Sequence, residues 1–151
     1  MPTIRRADAT DLEDVLRLRM DFFREVRPDV GEIQPVMESN RRYLAEKLPS
    51  GEFRVWFAEE QGLIVGTGGL VFFHRPPTPN CLSDLHAYVL NMYTLPEWRG
   101  RGVATMLLRH IIEHVRTTHA GRISLHATEM GRPIYERLGF APCDSEMVLS
   151  L

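Results

Sequence analysis

The chain has 151 residues, with 44% apolar and 25% charged side chains and a formal net charge of −2, which suits one globular domain over residues 1–151. This charge gives no support to nucleic acid as a partner, and no stretch approaches the roughly 20 apolar residues of a membrane span or resembles a signal peptide. The two cysteines are too few for a disulfide framework, so we expect a cytoplasmic protein with ordinary thiols and no membrane contact.

The first half of the chain predicts a strand, two helices and a hairpin. In chain order these are a strand over residues 3–6, a helix from about 10 through 23, a helix over 36–48, and strands over 53–59 and 63–73. Thr10 and Glu13 form a T-x-x-E capping box that predicts the start of the first helix. Gln61-Gly62 predicts the turn of the hairpin. The glycines of Gly66-Thr67-Gly68-Gly69 indicate a bulge or a close approach, to substrate or to packed side chains.

The second half predicts alternating strands and helices. In chain order these are a strand from 84 or 85 to 95, a helix over 103–115, a strand over 123–127, a short helix ending near Gly139, and a closing strand over 146–149. The resulting order, β-α-α-β-β-β-α-β-α-β, predicts an α/β (mixed α+β) domain with one mixed sheet and helices on both of its faces.

Arg99-Gly100-Arg101-Gly102-Val103-Ala104 lies between a predicted strand and a predicted helix. A glycine-rich turn that leads into a helix exposes unpaired N–H groups, and the helix dipole favours an anion there. The two guanidinium groups suit phosphate oxygens. The segment therefore predicts a pyrophosphate-binding loop, although a glycine-rich turn with solvated arginines would have the same sequence.

Other nucleotide and metal motifs fit less well. A dinucleotide fingerprint would need a third glycine where Thr105 stands, and a phosphate-binding P-loop would need a Lys-Ser/Thr pair after the glycines. His110 and His114 have the i, i+4 spacing of metal ligands, but no acidic residue completes the set. We therefore expect no metal.

Two signatures resemble the GNAT superfamily of acetyl-CoA-dependent N-acetyltransferases. Arg99, Gly102 and Ala104 fill that family's R/Q-x-x-G-x-G/A motif, and Ile134-Tyr135-Glu136-Arg137-Leu138-Gly139-Phe140 matches its L-Y-x-x-x-G-F motif with Ile for Leu. The chain departs from many members at Thr128, where they carry Asn, and at Gly131, where they carry Ala. The resemblance implies a three-layer fold whose mostly antiparallel sheet splays between its fourth and fifth strands.

The resemblance also implies that acetyl-CoA is the cosubstrate. Its pyrophosphate would lie on the loop and helix start, and its pantetheine arm would pair along the preceding strand. The residues expected to contact it are Tyr93, Thr94, Leu95, Arg99, Gly100, Arg101, Gly102, Val103, Ala104, Thr105, Thr128 and Tyr135.

The implied reaction is attack of a neutral amine on the thioester carbonyl. Tyr135 is expected to be the general acid, a role in which the alternative is a core tyrosine. A backbone N–H at Met92 or Tyr93 is the expected oxyanion donor. His126 is the first candidate for the base, ahead of three acidic residues and a histidine near the strand ends, and a structural role remains open for it. These other candidates are Asp84, His86, Glu97 and Glu129.

The acceptor is expected to be a primary amine of unknown identity, bound in a mouth formed by the region over residues 22–40, the loop over 73–85 and the ends of the central strands. Asp29, Glu32 and Glu38 make that region acidic, which suits a cationic amine or simply a solvated loop. A catalytically silent acyl-CoA sensor is the alternative function. A basic surface for an acidic partner or nucleic acid is a third possibility that the net charge disfavours. A homodimer is consistent with the family.

Overall fold

A computed structural model describes residues 1–143 and 145–151 of the chain. Its strands are β1 (Thr3–Arg6), β2 (Phe53–Glu60), β3 (Leu63–His74), β4 (Leu85–Thr94) and β5 (Arg122–Ser124), and its helices are α1 (Leu12–Val26), α2 (Gln34–Ser50), α3 (Val103–Arg116) and α4 (Arg132–Arg137). The strands form one sheet in the order β1-β2-β3-β4-β5. Neighbours are antiparallel up to β4, and β4 and β5 are parallel. None of the helices in the described residues has the length and apolar character needed to cross a bilayer.

The sheet separates two hydrophobic cores, which confirms the predicted class of a mixed sheet with helices on both faces. On one face, α3 buries Leu107, Leu108 and Ile111 against side chains such as Trp56 and Val89. On the other face, α1 and α2 bury a second group of apolar side chains against β2, including Val15, Leu18, Leu44, Val55 and Phe57. The alternation of Val55, Trp56 and Phe57 between the two cores is the period-2 pattern of a strand covered on both sides.

The first helix, α1, begins at Leu12 after a short 3₁₀ turn (Ala9–Asp11), and the cap differs from the one that Thr10 and Glu13 predict. Asp8 accepts a hydrogen bond from Thr10 N at 2.8 Å, and Asp11 accepts one from Asp8 N at 2.9 Å, which forms a capping box over a short 3₁₀ turn. Arg5 also binds both Asp11 oxygens, at 2.8 and 2.9 Å. The predicted Thr10–Glu13 box is therefore wrong, because a carboxylate two residues earlier competes for the same N–H groups.

The glycines of β3 serve packing rather than substrate approach. A Cβ on Gly66 would lie 2.8 Å from Val103 Cγ1, and one on Gly68 would lie 2.9 Å from Ile111 Cδ1. The backbone of β3 therefore touches the side chains of α3 directly. This contact fixes the height of α3 above the sheet, and with it the position of the residues at the helix start.

The end of the chain differs most from the prediction. β5 has three residues instead of the expected 123–127, and residues 146–149 form no strand with any described residue. Met147, Val148 and Leu149 are instead 81–96% exposed. Their composition favours a strand, but strand formation requires a partner edge, which the described part of this chain does not supply there.

We expect Gly66→Ala to destabilise the protein by about 1–3 kcal/mol in urea unfolding, because the new methyl group overlaps Val103. The matched test is the double variant Gly66→Ala/Val103→Ala, in which the overlapping methyl is removed. It should be more stable than the sum of the two single losses predicts. Strictly additive losses would show that the contact with Val103 does not limit the space at residue 66.

Candidate active site

The pairing of β4 with β5 stops after three residues, and the two strands then separate. His86, Ala87 and Tyr88 pair with Arg122, Ile123 and Ser124, and no later described residues of these segments are paired with each other. Beyond Tyr88, β4 carries a bulge in which Asn91 and Met92 stand opposite Gly68, and Asn91 has φ 56°. The result is a V-shaped gap with Tyr88 at its apex and the end of β4 at its mouth, as expected for a splay between the fourth and fifth strands.

The predicted pyrophosphate loop lies at the mouth of the gap. Gly100 and Gly102 have φ 73° and 80°, and Gly102 is the N-cap of α3 with no side chain bound to the helix end. The first backbone bond of the helix runs from Met106 N to Gly102 O, so the N–H groups of residues 100–105 have no partner among the described residues. A Cβ on either glycine would enter open space. Free donors facing open space fit a diphosphate.

The two arginines of the loop differ in their surroundings. The Arg99 side chain donates to Thr94 O at 3.0 Å and pairs with Glu25 at 2.6 Å, which raises the pKa of Arg99. It therefore braces the loop against β4 and α1. Arg101 lies over the Trp98 ring at 4.8 Å and is exposed, so its guanidinium is free to reach a phosphate.

At the end of β4, the backbone N–H and C=O groups of alternate residues point toward β3 or toward the gap. Leu95 N donates to Val65 O at 3.0 Å, and Tyr93 stands two residues away opposite Thr67. By the alternation of an antiparallel ladder, the Tyr93 N–H then points at β3, whereas the groups of Thr94 point at the gap. Of the two candidate oxyanion donors, this favours Met92 over Tyr93.

A hydrogen-bonded chain of three side chains lies at the apex of the gap. Tyr88 OH is 2.5 Å from His126 Nδ1, and His126 Nε2 is 3.0 Å from Glu146 Oε2. Because a carboxylate only accepts, Nε2 carries the proton, and Nδ1 accepts from the phenol. Burial raises the pKa of Tyr88, so the phenol is protonated at neutral pH.

Tyr135 lies on the α3 side of the same apex. Its ring packs edge-on to Phe140, with the ring centroids 6.0 Å apart. Burial is the main cause that raises the pKa of Tyr135, and the charge of Tyr88 adds to it. The phenol therefore holds its proton at neutral pH, as a general acid must. In the turn before α4, the Thr128 hydroxyl accepts a hydrogen bond from Gly131 N at 3.1 Å, and its own O–H proton is free to donate.

Three other histidines considered in the sequence analysis contact side chains of the fold. His86 is 6% exposed and lies 3.9 Å from Cys81 Sγ, while His110 and His114 pack against Trp56. Among the described residues, no three His, Cys, Asp or Glu side chains are placed to hold a metal ion. Sequence reasoning missed Tyr88 and Glu146. Tyr88 lies two residues before Leu90 on β4, so the strand pattern predicts that both side chains share the α1 face. No neighbouring residue in the sequence links Tyr88 to His126.

The sheet that parts after Tyr88 and the free helix start of α3 are the features expected of the GNAT fold. The chain matches the Acetyltransferase (GNAT) family over residues 12–140 and belongs to it, which confirms the resemblance of the two signatures.

Relatives agree with this assignment. Over 112 residues the chain is 30% identical to the uncharacterized N-acetyltransferase YedL of Escherichia coli, covering 71% of this chain but only 65% of that protein's length. A GCN5-related N-acetyltransferase from Ralstonia eutropha is 32% identical with a TM-score of 0.93, over 100% of this chain and 99% of that one. A predicted acetyltransferase from Clostridium acetobutylicum, solved with acetyl-CoA, is 29% identical with a TM-score of 0.87, over 99% and 96% of the two chains.

We expect Gly102→Ala to raise the Kd of coenzyme A at least about tenfold in calorimetry, because a methyl group would stand in front of the free N–H groups. Gly62→Ala is the matched control. Gly62 has φ 79° and open space around it, as Gly102 has, but lies in the turn between β2 and β3. The two variants should lose similar stability. Equal coenzyme A affinities would mean that the diphosphate binds elsewhere.

Proposed function

We propose that this protein transfers the acetyl group of acetyl-CoA to a primary amine by direct attack in a ternary complex. The observation that carries the proposal is the gap that joins the free N–H groups at the start of α3 to two tyrosines whose pKa values are raised. Membership of the GNAT family and the Clostridium relative solved with acetyl-CoA support the choice of cosubstrate.

The residues of the gap fit an extended acyl-CoA. The N–H groups at residues 100–104 would hold the pyrophosphate, with Arg101 adding charge. The Thr94 N–H, which points at the gap, would donate to an amide carbonyl of the pantetheine arm, in the manner of an added strand. When bound in this way, acetyl-CoA supplies an activated acyl group at the apex, between Tyr88 on one side and Tyr135 on the other.

Tyr88 and His126 would remove the proton from the incoming ammonium. The phenol oxygen accepts the proton of the amine while its own proton passes to His126 Nδ1, along the 2.5 Å hydrogen bond. Glu146 holds the ring in the correct tautomer and stabilises the positive charge that the ring acquires. His126 thus acts through Tyr88, because both of its nitrogens are already engaged.

The same geometry serves the bond changes that follow. The amine nitrogen bonds to the carbonyl carbon, and the Met92 N–H would stabilise the negative charge that develops on the carbonyl oxygen. The carbon–sulfur bond breaks, and Tyr135 donates its proton to the departing thiolate. The second proton of the former amine, released as the amide forms, returns the Tyr135 phenolate to the phenol. The raised pKa of Tyr135 keeps this proton available at neutral pH.

The direct experiment follows free thiol release from acetyl-CoA over amines, peptides and aminoglycosides. We expect turnover with at least one acceptor, and a kcat lower by about 10²–10⁴-fold in Tyr135→Phe with little change in the KM for acetyl-CoA. An unaltered kcat would remove Tyr135 from the mechanism. Tight coenzyme A binding without transfer to any acceptor would instead identify the acyl-CoA sensor.

Glu146→Gln tests the relay. We expect kcat to fall about 10–100-fold, the value of one charge-assisted hydrogen bond, while the KM for acetyl-CoA stays the same. In His126→Gln the same change should have no further effect, because Glu146 acts only through that ring. Glu113→Gln, which removes an exposed carboxylate on α3, is the control. Independent losses in the double variant would contradict the relay.

A further inference from the structure

One inward-facing cation lies on the acceptor side of the gap. Arg19 of α1 is half-buried between α1 and α2, with its guanidinium over the Phe23 ring at 4.7 Å. Its Nε donates to Asn40 Oδ1 at 2.6 Å, and Asn40 in turn donates to Val36 O at 2.8 Å. The guanidinium is therefore held in a fixed orientation, and its two terminal nitrogens remain available to another group.

Arg19 differs from its neighbours on the same helix. Arg17 and Arg24 are about half exposed and pair with carboxylates of the helix surface. No described Asp or Glu forms an ion pair with Arg19 within 4.0 Å. Burial lowers the pKa of Arg19 because it penalises the charged form of the guanidinium. A partly buried cation without a counter-ion is costly, so a ligand anion would relieve this cost.

The position of Arg19 relates it to the reaction. α1 packs against the face of β4 that carries Leu90 and, two residues before it, Tyr88. The Arg19 charge accordingly opposes the effects of burial and of Glu146 on the pKa of that phenol. Tyr88 is the group that would receive the proton of the acceptor amine. An anion bound by Arg19 would therefore lie on the same side of β4 as the incoming amine.

The acidic side chains around this face are exposed or already paired. Asp29, Glu32 and Glu38, which suggested a cationic acceptor, are solvent-exposed. Asp21 pairs with Arg17 and Arg24, and Glu25 pairs with Arg99. The unpaired charge on the inner side of α1 is thus positive.

We infer that the acceptor is an amine that also carries a carboxylate close to the amino group, as a free amino acid does, and that Arg19 binds this carboxylate through its two terminal nitrogens. The planar fork of guanidinium matches the two oxygens of a carboxylate. This inference rests on the proposed acetyl transfer and names the acceptor class for it.

The test compares acceptors that differ only in the carboxylate. Free L-amino acids and their C-terminal amides are screened in parallel by thiol release, so that no variant is needed for the first result. We expect kcat/KM for the best acid to exceed that of its amide by about 10²-fold. Thiol release with amides or simple amines at equal or higher kcat/KM would overturn the carboxylate assignment and leave acetyl transfer standing. If no acceptor causes thiol release from acetyl-CoA, both the carboxylate assignment and the proposed acetyl transfer are overturned.

Variants of Arg19 then assign the effect to this residue. Arg19→Gln should lower kcat/KM for the acid about 10²-fold and leave that for the amide within about threefold, with an unchanged Kd for coenzyme A. Arg19→Lys keeps the charge without the planar fork, so its kcat/KM for the acid should lie between that of the unsubstituted protein and that of Arg19→Gln. Arg17→Gln, at an exposed position on the same helix, is the matched control. It should leave kcat/KM unchanged for both the acid and the amide. Equal losses for acid and amide in both Arg19 variants would show that Arg19 has only a structural role.

Discussion

The parting of β4 from β5 after Tyr88 is the constraint on which the site depends. An intact ladder would seal the sheet, and the α3 face would have no connection to the face covered by α1 and α2. The bulge at Asn91 and Met92 turns β4 away, and antiparallel pairing with β3 still holds the strand on its other side. One strand can therefore lead a ligand from the unpartnered N–H groups at the helix start of α3 to the apex, where Tyr88 and Tyr135 lie on opposite sides.

The features that the sequence predicts well are local in the chain. The turn at Gln61-Gly62, the loop at Gly100 and Gly102, and the amphipathic α3 each follow from residues a few positions apart, and the structure contains all of them. The relay joins residues 38 and 20 positions apart, so no window of sequence could indicate it. The predicted strand at 146–149 is wrong for a related reason, because a strand depends on a partner edge as much as on its own residues.

The arginines differ in whether a carboxylate neutralises their charge, and this difference distinguishes the structural arginines from the one that is available to a ligand. Arg5 is enclosed by Asp11 and Glu59, and Arg99 by Glu25 and the carbonyl of Thr94, so each joins two elements of the fold. Arg19 joins α1 to α2 through a neutral amide instead. A neutral partner fixes its direction without cancelling its charge, which is the arrangement that a binding residue requires.

The two halves of the site are built with different rigidity. The start of α3 rests directly on β3, with Val103 and Leu107 packed against the backbone at Gly66, so the coenzyme loop is set by the core before any ligand arrives. The acceptor half depends on side chains, and Glu146 reaches His126 from a segment that forms no strand with the described residues. In the function proposed here, a fixed coenzyme site beside an adjustable acceptor site would let one scaffold keep its acyl donor while the acceptor changes. Substitutions that alter acceptor choice should therefore be tolerated by the fold far better than substitutions beneath α3.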